Sequence, residues 1–151
     1  MKFARIKVRP KIEVEYYSQV NESSAPDVIR IKSEDIPAPE FMSAFGSLRS
    51  VAIKMIDLPA KELENIQADE LIIKEKSGRE YFSIKGTRYL KGTKLTMEFT
   101  TPSLPTEHSD PDLQLPKGAY DTIQSVMDHA TEYMKGKRAQ LNIFSIEVKS
   151  A

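Results

Sequence analysis

Apolar and polar residues alternate along the first part of the chain, which predicts β-structure. From Ala4 to Tyr16 the apolar positions recur at every second residue, with charged residues between them. This period is typical of a strand with one buried face. Pro10 interrupts the pattern, so we expect an edge, a bulge or a bend there, and either one strand or a pair of strands. A second short apolar stretch, residues 28–32, predicts another strand.

Two later segments repeat their apolar residues at helical spacing. The first follows a proline-bearing, acidic start typical of helix N-termini and contains Gly46, which we interpret as a sign of close packing. It is predicted to end near Leu58 and Pro59. The second is predicted to end at Gly136, where basic residues suit the negative end of the helix dipole. The predicted buried positions are Phe41, Phe45, Leu48, Ala52 and Met55 in the first helix, and Tyr120, Ile123, Met127, Ala130 and Met134 in the second.

A three-stranded meander is predicted between the two helices, at residues 70–76, 80–85 and 94–100. Ser77, Gly78 and Arg79 predict its first turn, and Lys91 with Gly92 predicts the second. The order β-β-α-β-β-β-α, with local connections, predicts an α+β fold in which a mainly antiparallel sheet carries two amphipathic helices on one face. The length of 151 residues suits a single domain, 1–151.

The composition excludes several classes of protein. The chain is 40% hydrophobic and 29% charged, which is typical of a folded globular protein. Its 22 basic residues balance 22 acidic ones, so binding of nucleic acid or of an anionic membrane would require a local patch. The absence of cysteine excludes disulfides, thiolate nucleophiles and cysteine-ligated metals. Neither a signal-peptide core nor a membrane-spanning stretch is recognisable, so we expect a cytoplasmic protein that does not bind membranes.

Few groups of residues in the chain could support catalysis. There is no nucleophile elbow, phosphate-binding loop or dinucleotide fingerprint. Gly86 and Gly92 fall at predicted turns, where glycine supplies turn geometry. The acidic loop carries four potential ligands for a divalent metal, Glu107, His108, Asp110 and Asp112. Their spacing matches no established ligand motif, and we therefore expect no enzyme activity, no metal and no cofactor.

The charged face of the first strand predicts a nucleic-acid site. Four cations recur at period two, about 6.5 Å apart along an extended chain, near the phosphate repeat of a nucleic acid. They are Arg5, Lys7, Arg9 and Lys11. Rings that could stack on bases are Tyr16, Tyr17, Tyr81, Phe82 and Tyr89. The alternative is an ordinary solvent-facing surface, in which lysines also protect edge strands from aggregation.

A short motif follows the second predicted helix, Gln140-Leu141-Asn142-Ile143-Phe144. It resembles the pentapeptide Gln-Leu-x-(Leu/Ile)-Phe, by which many proteins dock onto the bacterial sliding clamp. In an extended segment the glutamine amide can hydrogen-bond at one end of a groove, while the apolar side chains of Leu141, Ile143 and Phe144 fill pockets at the other end.

The same region also has a structural interpretation. Phe144, Ile146 and Val148 alternate with polar residues, as in a final strand. A segment paired in the sheet with Phe144 in the core could not enter a groove on another protein. Residues 137–151 are therefore either a partly free C-terminal tail or the end of the sheet.

Three sequence blocks resemble those of a known group of proteins. They are Pro39-Glu40-Phe41…Ala44-Phe45…Leu48, Thr101-Pro102-Ser103-Leu104-Pro105, and Gly136-Lys137-Arg138-Ala139-Gln140 before an Ile-Phe ending. Together they resemble a family of small, uncharacterised proteins of bacteriophages and prophages, typically encoded near replication and recombination genes. The resemblance implies a phage-encoded accessory to DNA metabolism in the host cytoplasm. Family members often end soon after the phenylalanine, whereas residues 145–151 follow it here.

These features predict a non-enzymatic binding module that acts in DNA replication or recombination through protein contacts. The partner is expected to be the bacterial sliding clamp or another replication or recombination protein. Two alternatives stay open, namely binding of nucleic acid by the first strand and inhibition of a host enzyme or defence system. The sequence also leaves open whether the chain forms a homo-oligomer through an edge strand.

Overall fold

The structure, a computed structural model, describes residues 2–18, 27–138 and 146–150. Within these ranges the chain forms seven β-strands and three α-helices. The strands are β1 (Phe3–Lys7), β2 (Ile12–Tyr17), β3 (Asp27–Ser33), β4 (Ile66–Lys76), β5 (Arg79–Tyr89), β6 (Thr96–Thr100) and β7 (Ile146–Ser150). The helices are α1 (Pro39–Gly46), α2 (Leu48–Met55) and α3 (Ala119–Arg138). None of these helices is long and apolar enough to cross a membrane.

All the described strands belong to one antiparallel sheet, in the order β6-β5-β4-β1-β2-β3-β7. The predicted α+β class with a mainly antiparallel sheet is therefore confirmed. The chain turns at Pro10, so the first alternating segment forms the pair β1 and β2 rather than one strand. The edges of the sheet are β6 on one side and β7 on the other.

The hydrophobic core forms where the apolar positions of the sheet meet the helices. Fully buried helical residues confirm most of the predicted apolar faces. They are Phe41, Phe45, Leu48 and Ala52 from α1 and α2, and Ile123, Ala130 and Met134 from α3. Val126 of α3 is also buried, although it was not among the predicted positions. Met55 and Met127 pack against the same core while partly buried, whereas Tyr120 is 40% exposed. In β1 the register shifts between Phe3 and Arg5, so Phe3 rather than Ala4 is buried there.

The helix boundaries differ from the predicted ones at two glycines. The first predicted helix is interrupted at Ser47, directly after Gly46, a pair of residues at which helices commonly kink. A Cβ on Gly46 would meet no atom within 4 Å, so the close packing predicted there is wrong. At the other end, α3 continues past Gly136 to Arg138. A single interior glycine costs only about 1 kcal/mol of helix stability, which the surrounding helix can offset.

Two predicted turns of the meander are confirmed, but one glycine was misplaced. Ser77 and Gly78 have φ values of 53° and 73°, as a two-residue hairpin turn requires, and Gly92 has a φ of 80°. Gly86, in contrast, lies inside β5 rather than at a turn. A Cβ on Gly86 would collide with the backbone carbonyl oxygen of Gln67 on β4 and would lie 2.7 Å from Cζ of Phe99 on β6, so glycine is needed there for close packing between neighbouring strands.

Two isoleucines of opposite exposure allow the packing of α3 to be tested. Ile123 is fully buried and Ile36 is 91% exposed. We expect Ile123→Ala to lower the free energy of unfolding by about 2–5 kcal/mol because it leaves a cavity under α3. The matched change Ile36→Ala should alter it by less than about 0.5 kcal/mol. Urea unfolding followed by circular dichroism measures both values, and equal effects would contradict this core.

Candidate functional site

The cations of β1 lie between strands that carry acidic residues. In the antiparallel register Lys7 lies opposite Glu13 of β2 on one side and Glu70 of β4 on the other. Glu13 in turn lies opposite Lys32 of β3, and Glu70 lies opposite Lys85 of β5. One row across five neighbouring strands therefore alternates in charge from Lys32 to Lys85.

A second row runs parallel to the first, where Arg5 of β1 lies opposite Glu15 of β2, and Glu15 lies opposite Arg30 of β3. Arg30 contacts Glu15 at 2.6 Å and Glu13 at 2.9 Å, measured from guanidinium nitrogen to carboxylate oxygen. Arg5 Nε lies 3.1 Å from Glu70 Oε1 and 3.9 Å from Glu15 Oε2. Arg5 and Arg30 thus join the two rows into one charge network, comprising Arg5, Lys7, Glu13, Glu15, Arg30, Lys32, Glu70 and Lys85.

The charge network contains two carboxylates that are almost fully buried. Glu15 is 8% exposed and Glu70 is 6% exposed. A buried carboxylate is tolerated only when cations or hydrogen-bond donors compensate its lost hydration. Arg5 and Arg30 provide this compensation for Glu15, while Arg5 at 3.1 Å and Lys85 at 3.9 Å provide it for Glu70. Arg5 and Arg30 are thus committed to contacts within the protein.

The other two predicted phosphate-binding residues, Arg9 and Lys11, also have acidic neighbours. Arg9 Nη1 donates a hydrogen bond to the Ala68 carbonyl at 2.7 Å and lies 3.5 Å from Asp69 Oδ1. Lys11 Nζ lies 2.7 Å from Glu34 Oε1, and this contact holds the pKa of the Glu34 carboxyl below its ordinary value. Of the four predicted cations, only Lys7 has no carboxylate within 4 Å among the described residues.

Two of the five predicted stacking rings, Phe82 and Tyr16, pack against the core rather than standing free to stack on bases. Phe82 is 1% exposed, lies in the core and makes an edge-to-face contact with Tyr120 at a centroid distance of 5.9 Å. Tyr16 is partly buried against the same core. Tyr89 is 44% exposed and its hydroxyl lies 3.3 Å from Gln67 Oε1. Binding of nucleic acid by this surface therefore stays an alternative to protein binding, supported chiefly by Lys7.

The acidic loop uses its polar groups to hold its own turns. His108 Nδ1 accepts a hydrogen bond from the Asp110 backbone N–H at 2.9 Å, and Asp110 Oδ1 accepts one from the Asp112 N–H at 3.0 Å. The Glu107 carbonyl accepts a hydrogen bond from Arg79 at 3.1 Å. In the parts of the chain that the structure describes, no three His, Asp or Glu side chains come together as ligands for a metal ion.

The predicted docking residues Gln140, Leu141, Ile143 and Phe144 lie outside the described residues. The end of α3 at Arg138 and the start of β7 at Ile146 place them in the connection between these two elements. Strand β7 pairs with β3, with Ile146 opposite Ile31 and Asp27 opposite Ser150. The predicted final strand is thus confirmed for Ile146–Ser150, whereas docking by the pentapeptide remains a prediction.

Strand β6 is an exposed feature that sequence reasoning identified as a strand but not as a surface for binding. Two of its apolar side chains face solvent, with Leu95, just before the strand, 65% exposed and Met97 51% exposed. The signal was present in the sequence, because β6 is the last strand of the meander and a proline-rich loop follows it. Such a strand has no later partner nearby and is expected at a sheet edge.

No protein-family model, curated protein or solved structure matches the chain.

Two glutamates of β4 test the role of the charge network. The side chain of Glu70 is 8% exposed and that of Glu75, which pairs with Lys2, is 41% exposed. We expect Glu70→Gln to lower the free energy of unfolding by about 1–3 kcal/mol because Arg5 loses a buried charge partner. Glu75→Gln should change it by less than about 0.5 kcal/mol, because an exposed pair contributes little. Chemical denaturation of both variants measures these changes. An unchanged free energy of unfolding in Glu70→Gln would contradict the stabilising role of the charge network.

Nucleic-acid binding is tested by a gel-shift assay with single- and double-stranded oligonucleotides. Because carboxylates lie beside Arg5, Arg9 and Lys11, we expect no shift even at about 50 mM salt, where phosphate contacts are strong. A salt-sensitive shift that disappears in Lys7→Glu would contradict this expectation. Lys74→Glu is the matched control, since it makes the same change of charge at an exposed position of β4.

Proposed function

We propose that this chain is a non-enzymatic binding module that acts by protein–protein contact in DNA replication or recombination, and that residues 140–144 dock it onto the bacterial sliding clamp. The observation that carries the proposal is the pentapeptide itself, Gln140-Leu141-Asn142-Ile143-Phe144. Its position in the connection between α3 and β7 supports this assignment, because short connecting segments are frequent sites of recognition.

The pentapeptide supplies the two kinds of contact that groove binding requires. The Gln140 amide can donate and accept hydrogen bonds at one end of a groove, and three apolar side chains, Leu141, Ile143 and Phe144, can be buried at the other. Each such side chain contributes about 1.5–3 kcal/mol on burial. After the cost of ordering the segment, a micromolar dissociation constant, equivalent to about −8 kcal/mol, is a reasonable expectation.

The charge network favours a protein partner over a nucleic acid. Arg5 and Arg30 are held by Glu13, Glu15 and Glu70, so phosphate binding would have to compete with contacts that compensate two buried carboxylates. A partner protein that binds the apolar pentapeptide would not compete with these carboxylates for Arg5 and Arg30. The resemblance of three sequence blocks to phage and prophage proteins encoded near replication genes agrees with a clamp as the partner.

Calorimetric titration of the full chain into a bacterial sliding clamp tests this function. We expect micromolar binding by the wild type and at least about tenfold weaker binding by Gln140→Ala and by the double variant Leu141→Ala/Phe144→Ala. Asn142→Ala is the matched control, because residue 142 occupies the variable position of the motif and its replacement should leave affinity unchanged. Melting temperatures of all variants should stay close to that of the wild type.

Two results would contradict the proposal. Absence of binding by both the full chain and a synthetic peptide of residues 138–146 would exclude the clamp as partner. If instead the double variant is destabilised by about 3–5 kcal/mol, Phe144 is a buried core residue and the segment serves the fold. Binding by the peptide but not by the full chain would also lead to this second conclusion.

A further inference from the structure

Strand β6 ends the sheet with an open, partly apolar edge. Among the described residues it pairs with β5 on one side only. Leu95 and Met97 are 65% and 51% exposed, and Thr96, Glu98 and Thr100 are exposed as well. An uncovered edge strand that presents apolar side chains is a template for pairing with another strand.

The register of β5 with β6 shows which backbone groups are free to pair. The Leu90 N–H donates to the Leu95 carbonyl at 3.1 Å, and the Thr101 N–H donates to the Ile84 carbonyl at 2.9 Å. Odd-numbered residues of β6 therefore direct their N–H and C=O groups towards β5, because hydrogen-bonded residues alternate along an antiparallel strand. The even-numbered residues, Thr96, Glu98 and Thr100, direct theirs towards the open edge.

Two copies of β6 could pair about a two-fold axis in several registers. These registers differ in which side chains lie opposite each other. An axis at Glu98 would place Glu98 opposite its own copy, and like charges directly opposite each other are destabilising. An axis at Met97 would place Glu98 opposite Thr96 and leave Lys94 opposite Thr100, without any charge pair. An axis at Thr96 places Lys94 of each copy opposite Glu98 of the other, and Leu95 of each copy opposite Met97 of the other.

We propose that the chain self-associates through antiparallel pairing of residues 94–98, which are the start of β6 and the two residues before it, with the same residues of a second copy, about a two-fold axis at Thr96. The sheet then continues from one copy into the other. Two Lys94–Glu98 ion pairs lie on one face, and two Leu95–Met97 contacts lie on the other, which removes the exposed apolar side chains from water. This interface does not depend on clamp docking, since β6 and β7 lie at opposite edges of the sheet.

The short contact limits the strength of the dimer. The paired segment covers residues 94–98 of each copy, less than the roughly 1,200 Å² of total area typical of stable complexes. We therefore expect a dissociation constant on the order of 100 µM at low salt. The affinity should fall as salt rises, because exposed ion pairs are screened.

Sedimentation equilibrium of the full chain over about 10 µM to 1 mM measures this association directly. The wild type should pass from monomer to dimer over this range. Lys94→Glu places two glutamates opposite two others, and Glu98→Lys places lysines opposite lysines, so each variant should dimerise at least about tenfold more weakly. Because these side chains are exposed, circular dichroism should report an unchanged fold. An equimolar mixture of the two variants should form a heterodimer, since both cross-strand pairs are then of opposite charge.

A second variant tests the backbone contact independently. Thr96→Pro removes an N–H that points to the open edge, a position at which a strand tolerates proline, and it should abolish dimerisation. A wild type that remains monomeric at 1 mM would overturn the proposal. So would a dimer that forms equally well in Lys94→Glu, in Glu98→Lys and in Thr96→Pro, because these results would assign the interface to another surface. Failure of the two charge variants to form a heterodimer would overturn the proposed register.

Discussion

The polar side of this sheet depends on one constraint. Cations on neighbouring strands must compensate the charge of two buried carboxylates. Glu15 and Glu70 are 8% and 6% exposed, and each would be strongly destabilising without a cation beside it. Arg5 and Arg30 reach them only when β1, β2, β3 and β4 pair in the observed register. A slip by one residue would exchange the charged face with the core face, so charge pairing and apolar burial specify the same register.

The same constraint changes the meaning of the basic stripe on β1. Along the sequence, Arg5, Lys7, Arg9 and Lys11 form a regular row of cations. Across the sheet, the nearest neighbours of Arg5 are glutamates of β2 and β4. Periodicity along one strand reports which face a side chain occupies, but the charge of that face is set by strands that are distant in sequence. Glu13 and Glu15 shared the predicted polar face, yet only the pairing places Glu70 on the opposite side of β1 from them.

Local patterns predicted most of the fold, and non-local packing accounts for the differences. The apolar spacing of α3 and the turn at Ser77 and Gly78 are local signals, and both are confirmed. Gly86 was assigned to a turn because nothing near it in sequence shows that the Gln67 carbonyl and the Phe99 ring lie closely against it. The alternation of β6 gave the strand its two faces, and its place as the last strand of the meander indicated a sheet edge, but neither signal showed that Met97 would be 51% exposed. The proposal of docking by residues 140–144 rests on sequence chemistry alone.

The central claim, that a partner protein binds at residues 140–144 and not at the charged face of β1, is tested most directly by amide hydrogen exchange. The full chain would be compared with and without a bacterial sliding clamp. We predict that the clamp slows exchange in residues 140–144 and leaves β1 and β2 unchanged. Unchanged exchange at 140–144, or protection there in the free protein as strong as that of β3, would contradict the claim.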